Sequence, residues 1–165
     1  MQRHYRRGAC IILSVTFAFV AGCSPSRKAT PPPAVTEESA KKVLAEVIAG
    51  VAQKGVAGFC KDFAIGIGAC SSILDQALED CLMPGPPPVI KRSAAVPAIE
   101  NRQGGWVLGL EGHTLDGQRY VSEFFVAMDK DRPRAHVGVY WTGLGLGDSP
   151  LGPDYTVVPQ RACQG

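Results

Sequence analysis

The stretch Trp106-Val-Leu-Gly-Leu-Glu-Gly-His-Thr-Leu-Asp-Gly-Gln-Arg-Tyr-Val-Ser-Glu-Phe-Phe-Val-Ala-Met128 decides the fold. Read with a period of two, Trp106, Leu108 and Leu110 share one face, and Val107, Gly109 and Glu111 the other. Beyond Asp116-Gly117, Tyr120, Phe124 and Val126 again alternate with Val121, Phe125 and Ala127. Successive strand side chains point to opposite faces, so this is the pattern of two strands. Asp-Gly between them is a strong hairpin signal, because tight turns need positive φ. With Leu115 facing Gln118 across the turn, His113 pairs with Tyr120 and Glu111 with Ser122.

Downstream, Lys130 to Arg134 reads as a polar turn. Ala135, Val137, Val139 and Trp141 then alternate with His136, Gly138 and Tyr140 in a last strand. Upstream, Val89 to Val96 is the first strand, made edge-like by Pro97. Before it the period lengthens to about 3.6. Thr36 is placed to cap a helix that Glu37 and Glu38 suit electrostatically. Val43, Leu44, Val47, Ile48 and Val51 form its apolar stripe, and Lys54-Gly55 its stop. A short second helix runs through Gly58 to Phe63. A third spans Ser71 to Leu82, with Pro84 to Pro88 ending it. Helices followed by an antiparallel meander imply an α+β domain over residues 36–142, with helices packed on one face of a curved sheet. The Gly- and Pro-rich residues 143–165 read as an irregular tail pinned by Cys163.

The first residues are of another kind. Arg3, Arg6 and Arg7 precede an apolar run from Ala9 to Gly22. At roughly 14 residues that run is short of the ~20 a membrane span needs. A basic head, a short apolar run and small residues before a cut describe an export signal. Val20-Ala21-Gly22-Cys23 resembles the lipobox of bacterial lipoproteins. That resemblance implies cleavage between Gly22 and Cys23, diacylglycerol on the Cys23 sulfur, and a place on the extracytoplasmic face of the cell membrane. One acyl chain holds a protein only marginally on a bilayer, so two chains are what make an anchor. Arg6-Arg7 hints at twin-arginine export, although Gly8, Ala9 and Cys10 depart from the usual continuation. Residues 24–35, with Pro31-Pro32-Pro33, read as an extended tether.

With Cys10 in the signal and Cys23 lipidated, Cys60, Cys70, Cys81 and Cys163 remain. An even number in an exported chain reads as two disulfides. A helix from Cys70 to Cys81 would hold its ends about 16 Å apart, against the roughly 7 Å limit for bridged alpha carbons. That favours Cys60–Cys70 with Cys81–Cys163, and leaves Cys60–Cys81 with Cys70–Cys163 as the alternative. Their spacing matches no zinc pattern.

The composition, with 45% hydrophobic and 19% charged residues, is that of a folded chain. Of 17 Lys and Arg, three lie in the signal, which leaves 14 against 15 Asp and Glu. A near-neutral mature chain argues against binding nucleic acid by phosphate neutralisation.

Gly-Phe-Cys early in the helices, the Trp-Val-Leu strand, Asp-Gly and Gly138-Val139-Tyr140-Trp141 resemble a small actinobacterial lipoprotein of the nuclear-transport-factor-two-like (cystatin-like cone) superfamily. The resemblance covers residues 36–142 and lies in the order of elements. It implies a cone that hosts isomerases, dehydratases or plain binding modules. Acid–base candidates for such a cone are Glu111, His113, Tyr120, Glu123, His136 and Tyr140. Trp106, His113, Tyr120, Phe124, His136 and Tyr140 are the residues expected to line a pocket for a small hydrophobic ligand. His113 and His136 meeting near Tyr120 would permit proton transfer at neutral pH. His113 lies beside the turn, however, and the aromatic residues equally suit a core. Gly-x-Ser-x-Gly, phosphate-loop and His-Glu-x-x-His motifs are absent. The expectation is a lipid-anchored, non-catalytic binding or interaction protein of the cell envelope. Its partners would be the membrane and a small hydrophobic ligand or envelope protein, with no cofactor or metal. The alternative is an isomerase- or dehydratase-like enzyme using the cone interior.

Overall fold

Thr36 and Ser39 cap each other at the start of the first helix. Thr36 Oγ1 accepts from the Ser39 N–H at 3.2 Å, and Ser39 Oγ accepts from the Thr36 N–H at 2.9 Å. Two otherwise unpaired backbone donors are thereby satisfied. The computed structural model describes residues 34–100, 103–152, 155–161 and 163. The expected signal segment, its cleavage site at Gly22 and Cys23, and the expected tether up to residue 33 lie outside them. Helix α1 spans Glu37–Lys54 and stops at Gly55, whose φ of 67° favours glycine and whose N–H donates to the Val51 carbonyl at 2.9 Å. It buries Ala40, Val43, Leu44 and Val47. Two shorter helices follow, α2 (Phe59–Phe63) and α3 (Ile67–Glu79). A Cβ at Gly50 would collide with the Phe63 ring, so glycine is what lets α2 approach α1.

Strands β1 (Val89–Val96), β2 (Gly105–His113), β3 (Arg119–Asp129) and β4 (Arg132–Ala135) form one antiparallel sheet in the order β1-β2-β3-β4. The structure is therefore α+β, with a helical region packed on a four-stranded antiparallel sheet. Leu108, Leu110, Tyr120, Phe124 and Val126 face the helices and join Val43, Leu44, Val47, Phe59, Leu74 and Trp141 in the main core. Val96, Val107, Phe125 and Ala127 face the other way and pack with Ile65, Leu146 and Leu151.

The third helix begins a turn earlier than Ser71 because Gly66 O already accepts the Cys70 N–H at 2.9 Å. The hairpin is one residue out of the expected register: Thr114 faces Gln118, so His113 pairs with Arg119, Gly112 with Tyr120 and Glu111 with Val121. The cause is the Thr114 hydroxyl, which bonds Asp116 and accepts the Gln118 N–H at 3.1 Å. Leu115, Asp116 and Gly117 become a three-residue loop with Gly117 at φ 87°. The last strand is also displaced. It runs over Arg132–Ala135 rather than 135–141, because Gly138 at φ 89° breaks the alternation. Val139, Tyr140 and Trp141 all turn into the core as a result.

The tail is irregular but docked. Val121 and Val157 exchange backbone hydrogen bonds of 3.1 and 2.8 Å, and the Glu123 N–H donates to the Leu144 carbonyl at 2.8 Å. These bonds pair the stretch of β3 that β4 does not reach. Cys60–Cys70 and Cys81–Cys163 are the two disulfides, with alpha carbons 5.5 and 5.4 Å apart. The favoured pairing is the one formed.

Candidate functional site

The residues expected to line a pocket are spread over the core and two separate clefts. Tyr120 and Tyr140 are buried with ring centroids 6.5 Å apart. Tyr140 meets Trp141 edge to face at 5.1 Å, Trp141 meets Phe59 at 5.7 Å, and Phe59 meets Phe63 at 5.4 Å. This run of five rings fills the space between α2 and the sheet, with Phe124 buried in the same core. Trp106 is half-buried at its margin, and its indole N–H has no protein partner. Burial pushes the Tyr140 phenol up to about 12, and raises Tyr120 well above the ordinary tyrosine value, with Tyr140 beside it adding to the effect. Both stay protonated at neutral pH, so neither offers a base there.

His113 and His136 do not meet. His113 pairs with Arg119, whereas the His136 N–H donates to the Phe125 carbonyl at 2.8 Å. Six residues of β3 separate those positions, about 20 Å along a strand. His113 lines a cleft with Pro86, Lys91 and Glu111, and His136 lines another with Glu123, Phe124 and Leu146. The carboxylates have structural partners. Glu111 bonds Arg119 Nε at 2.8 Å and lies 3.8 Å from Lys91 Nζ. The Arg119 hydrogen bond holds its carboxyl below the ordinary value. Glu123 accepts from the Leu146 N–H at 2.6 Å and from the Ser149 hydroxyl, fixing the start of the tail.

A larger space lies away from both histidines. Between α3 and the tail is a groove of about 390 Å³. Ile73, Ala77, Leu82, Leu144, Val158 and Pro159 make its apolar walls, and Ser72, Gln76, Asp80 and Thr142 its polar margin. Ser72, Gln76 and Asp80 recur every four residues, which puts them along one edge of α3. Asp80 has both oxygens engaged, by Gln76 Nε2 at 3.0 Å and by Arg161 Nε at 2.8 Å. The Trp141 indole donates to the Leu82 carbonyl at 3.0 Å and fixes the floor just after α3. Next to it, the Thr142 hydroxyl is buried with no protein partner.

Among the described residues, no cluster of three or more His, Cys, Asp or Glu is arranged to hold a metal ion. No helix among them is long and apolar enough to cross a membrane. No family model, no curated protein and no solved structure matches this chain.

Proposed function

We propose that the chain is a lipid-anchored lipoprotein of the extracytoplasmic membrane face, and that its domain binds a small, partly apolar ligand or an envelope partner without catalysis. The observation that carries the binding reading is the α3–tail groove of about 390 Å³, apolar in its walls, with Ser72, Gln76 and Asp80 along its polar edge. Ligand sites of this kind combine apolar lining with a few placed polar groups. The anchoring reading is supported by the Val20-Ala21-Gly22-Cys23 pattern and the tether behind it. The likeness to the cystatin-like cone belongs to the same proposal. It is supported by helices preceding an antiparallel meander, while the ring-filled interior moves the binding surface from the cone to the groove.

Two experiments test the reading. Cys23→Ala should move the chain from the membrane to the soluble extracytoplasmic fraction; unchanged membrane association contradicts the anchor. The amphiphilic fluorophore anilinonaphthalene sulfonate should bind the native chain saturably through its aromatic rings and lose that binding in Ser72→Trp, which fills the groove mouth from an exposed position of α3. Equal binding by both chains contradicts the groove.

A further inference from the structure

The two disulfides stand in different surroundings. Cys60 and Cys70 are 6% and 0% exposed, inside the core that α2 and α3 share with the sheet. Cys81 is exposed, directly after α3, and Cys163 is half-buried. Cys81 also holds φ at 55°, the left-handed region that residues with a Cβ seldom adopt. Thiol exchange depends on access to a sulfur, which favours the second bridge over the first.

What the second bridge holds is a wall of the groove. Backbone pairing of the tail reaches Val157. Beyond it Val158 and Pro159 close one side of the groove, Pro159 being buried there and Val158 69% exposed. Residues 158–161 are tied to α3 by the Arg161–Asp80 ion pair and by Cys81–Cys163. The Arg161 side chain is 64% exposed, and exposed ion pairs hold little. The disulfide is therefore the fastening that keeps this strap against Ile73, Ala77 and Leu82.

We propose that Cys81–Cys163 is a thiol-exchange site, opened by an external dithiol to release residues 158–161 from α3 and unroof the groove, while Cys60–Cys70 stays closed as a structural bridge. A thiolate of the dithiol attacks the Cys81 sulfur. A mixed disulfide forms, the Cys81–Cys163 bond breaks, and Cys163 leaves as thiolate. The second thiol of the reagent, once deprotonated, attacks its own sulfur in the mixed disulfide and releases the Cys81 thiolate. The protein gains two electrons, the dithiol becomes a cyclic disulfide, and its two protons end on Cys81 and Cys163. The consequence for a ligand rests on the groove reading; the exchange site does not.

The test uses the full chain extracted from membranes in mild detergent, with free thiols blocked by N-ethylmaleimide. It is titrated with dithiothreitol, new thiols are trapped with iodoacetamide, and peptides are mapped by mass spectrometry. Cys81 and Cys163 should label at about tenfold lower dithiothreitol than Cys60 and Cys70. In the same samples deuterium uptake should rise at Val157, the bonded amide next to the strap, and stay unchanged over α1 and β2. Labelling of Cys60 and Cys70 first, or together with the other pair, overturns the proposal. So does unchanged uptake at Val157 once Cys81 and Cys163 are labelled. Cys163→Ser gives the released state without reductant, and a Val157 amide as protected as in the native chain would again overturn it. Neither readout needs a ligand, so failure of the groove to bind is distinguishable from failure of the exchange site.

Discussion

Gly109 and Tyr155 share one space on the outer face of the sheet: a Cβ at Gly109 would collide with the Tyr155 ring. Arg92, the cross-strand partner of Gly109, also packs on the ring, with its guanidinium carbon 4.9 Å from the ring centroid. Arg92 Nη1 in turn donates to the Leu151 carbonyl at 3.0 Å. The tail is thus a fitted cover for the face of the sheet that the helices leave bare.

Gly109→Ala should cost about 1–3 kcal/mol through overpacking. Tyr155→Ala should cost about 1–3 kcal/mol through the half-filled cavity it leaves. The double variant should lose clearly less than the sum, since each change removes the other's penalty. Urea unfolding of the four chains measures this, and strict additivity would mean that Tyr155 does not pack on Gly109.

Glu123 should matter to the tail rather than to any chemistry. Glu123→Ala leaves the Leu146 N–H and the Ser149 hydroxyl without their acceptor, and a hydrogen bond to a charged group contributes about 1.5–3 kcal/mol. Hydrogen exchange should speed at Leu146 before it does in β2. Exchange that rises uniformly across the chain would contradict that local role.

The two buried tyrosines predict an alkaline limit. Unfolded phenols titrate near pH 10, whereas burial raises both in the folded chain, Tyr140 to about 12. Above the unfolded value the unfolded chain loses its protons first. Stability is therefore full below about pH 10 and falls as pH rises toward 12. Tyr140→Phe should flatten that fall. Tyr120→Phe should do the same and cost little at neutral pH, about 1 kcal/mol or less in either direction, because its buried hydroxyl has no protein partner. Chemical denaturation at pH 7, 9 and 11 gives the slopes; identical slopes in wild type and both variants would contradict this.

The ends and apolar stripe of α1, the extent of β1 and the faces of β2 and β3 were readable because local signals agreed there: a capping threonine, a stopping glycine and strict alternation. The hairpin register was not, because Asp116-Gly117 marks a turn without saying that the Thr114 side chain will claim Gln118. The last strand was misplaced because alternation over 135–141 looked the same whether or not Gly138 turned the chain. The tail is irregular and pinned by Cys163, as its composition implies, and the mark of its docking lies in β2. Glycines inside a strand mark close approach of other atoms. Gly109 answers to Tyr155, and Gly112 to Tyr120. The candidate groove was not legible, since it joins α3 to residues about 70–85 positions away in sequence, a separation that periodicity does not reach.

Removing the Cys60–Cys70 bridge as Cys60→Ala/Cys70→Ala should cost about 3 kcal/mol by the loop-entropy estimate, with further loss from the core volume given up. By the same estimate Cys81→Ser/Cys163→Ser, which opens an 82-residue loop, costs about 4–5 kcal/mol, but it gives up no core volume and should raise exchange at Val157, next to the strap, before it does in the core. Thermal unfolding together with hydrogen exchange separates the two outcomes, and equal core exchange in both variants would contradict the division.

Native mass spectrometry of the membrane-extracted chain beside its Ser72→Trp variant tests the binding claim most directly. The account predicts a mass with Cys23 as the lipidated first residue and four protons fewer than the reduced chain, plus a non-covalent adduct that the variant loses. A bare mass that stays bare when anilinonaphthalene sulfonate is added, or an adduct retained in full by Ser72→Trp, would contradict it.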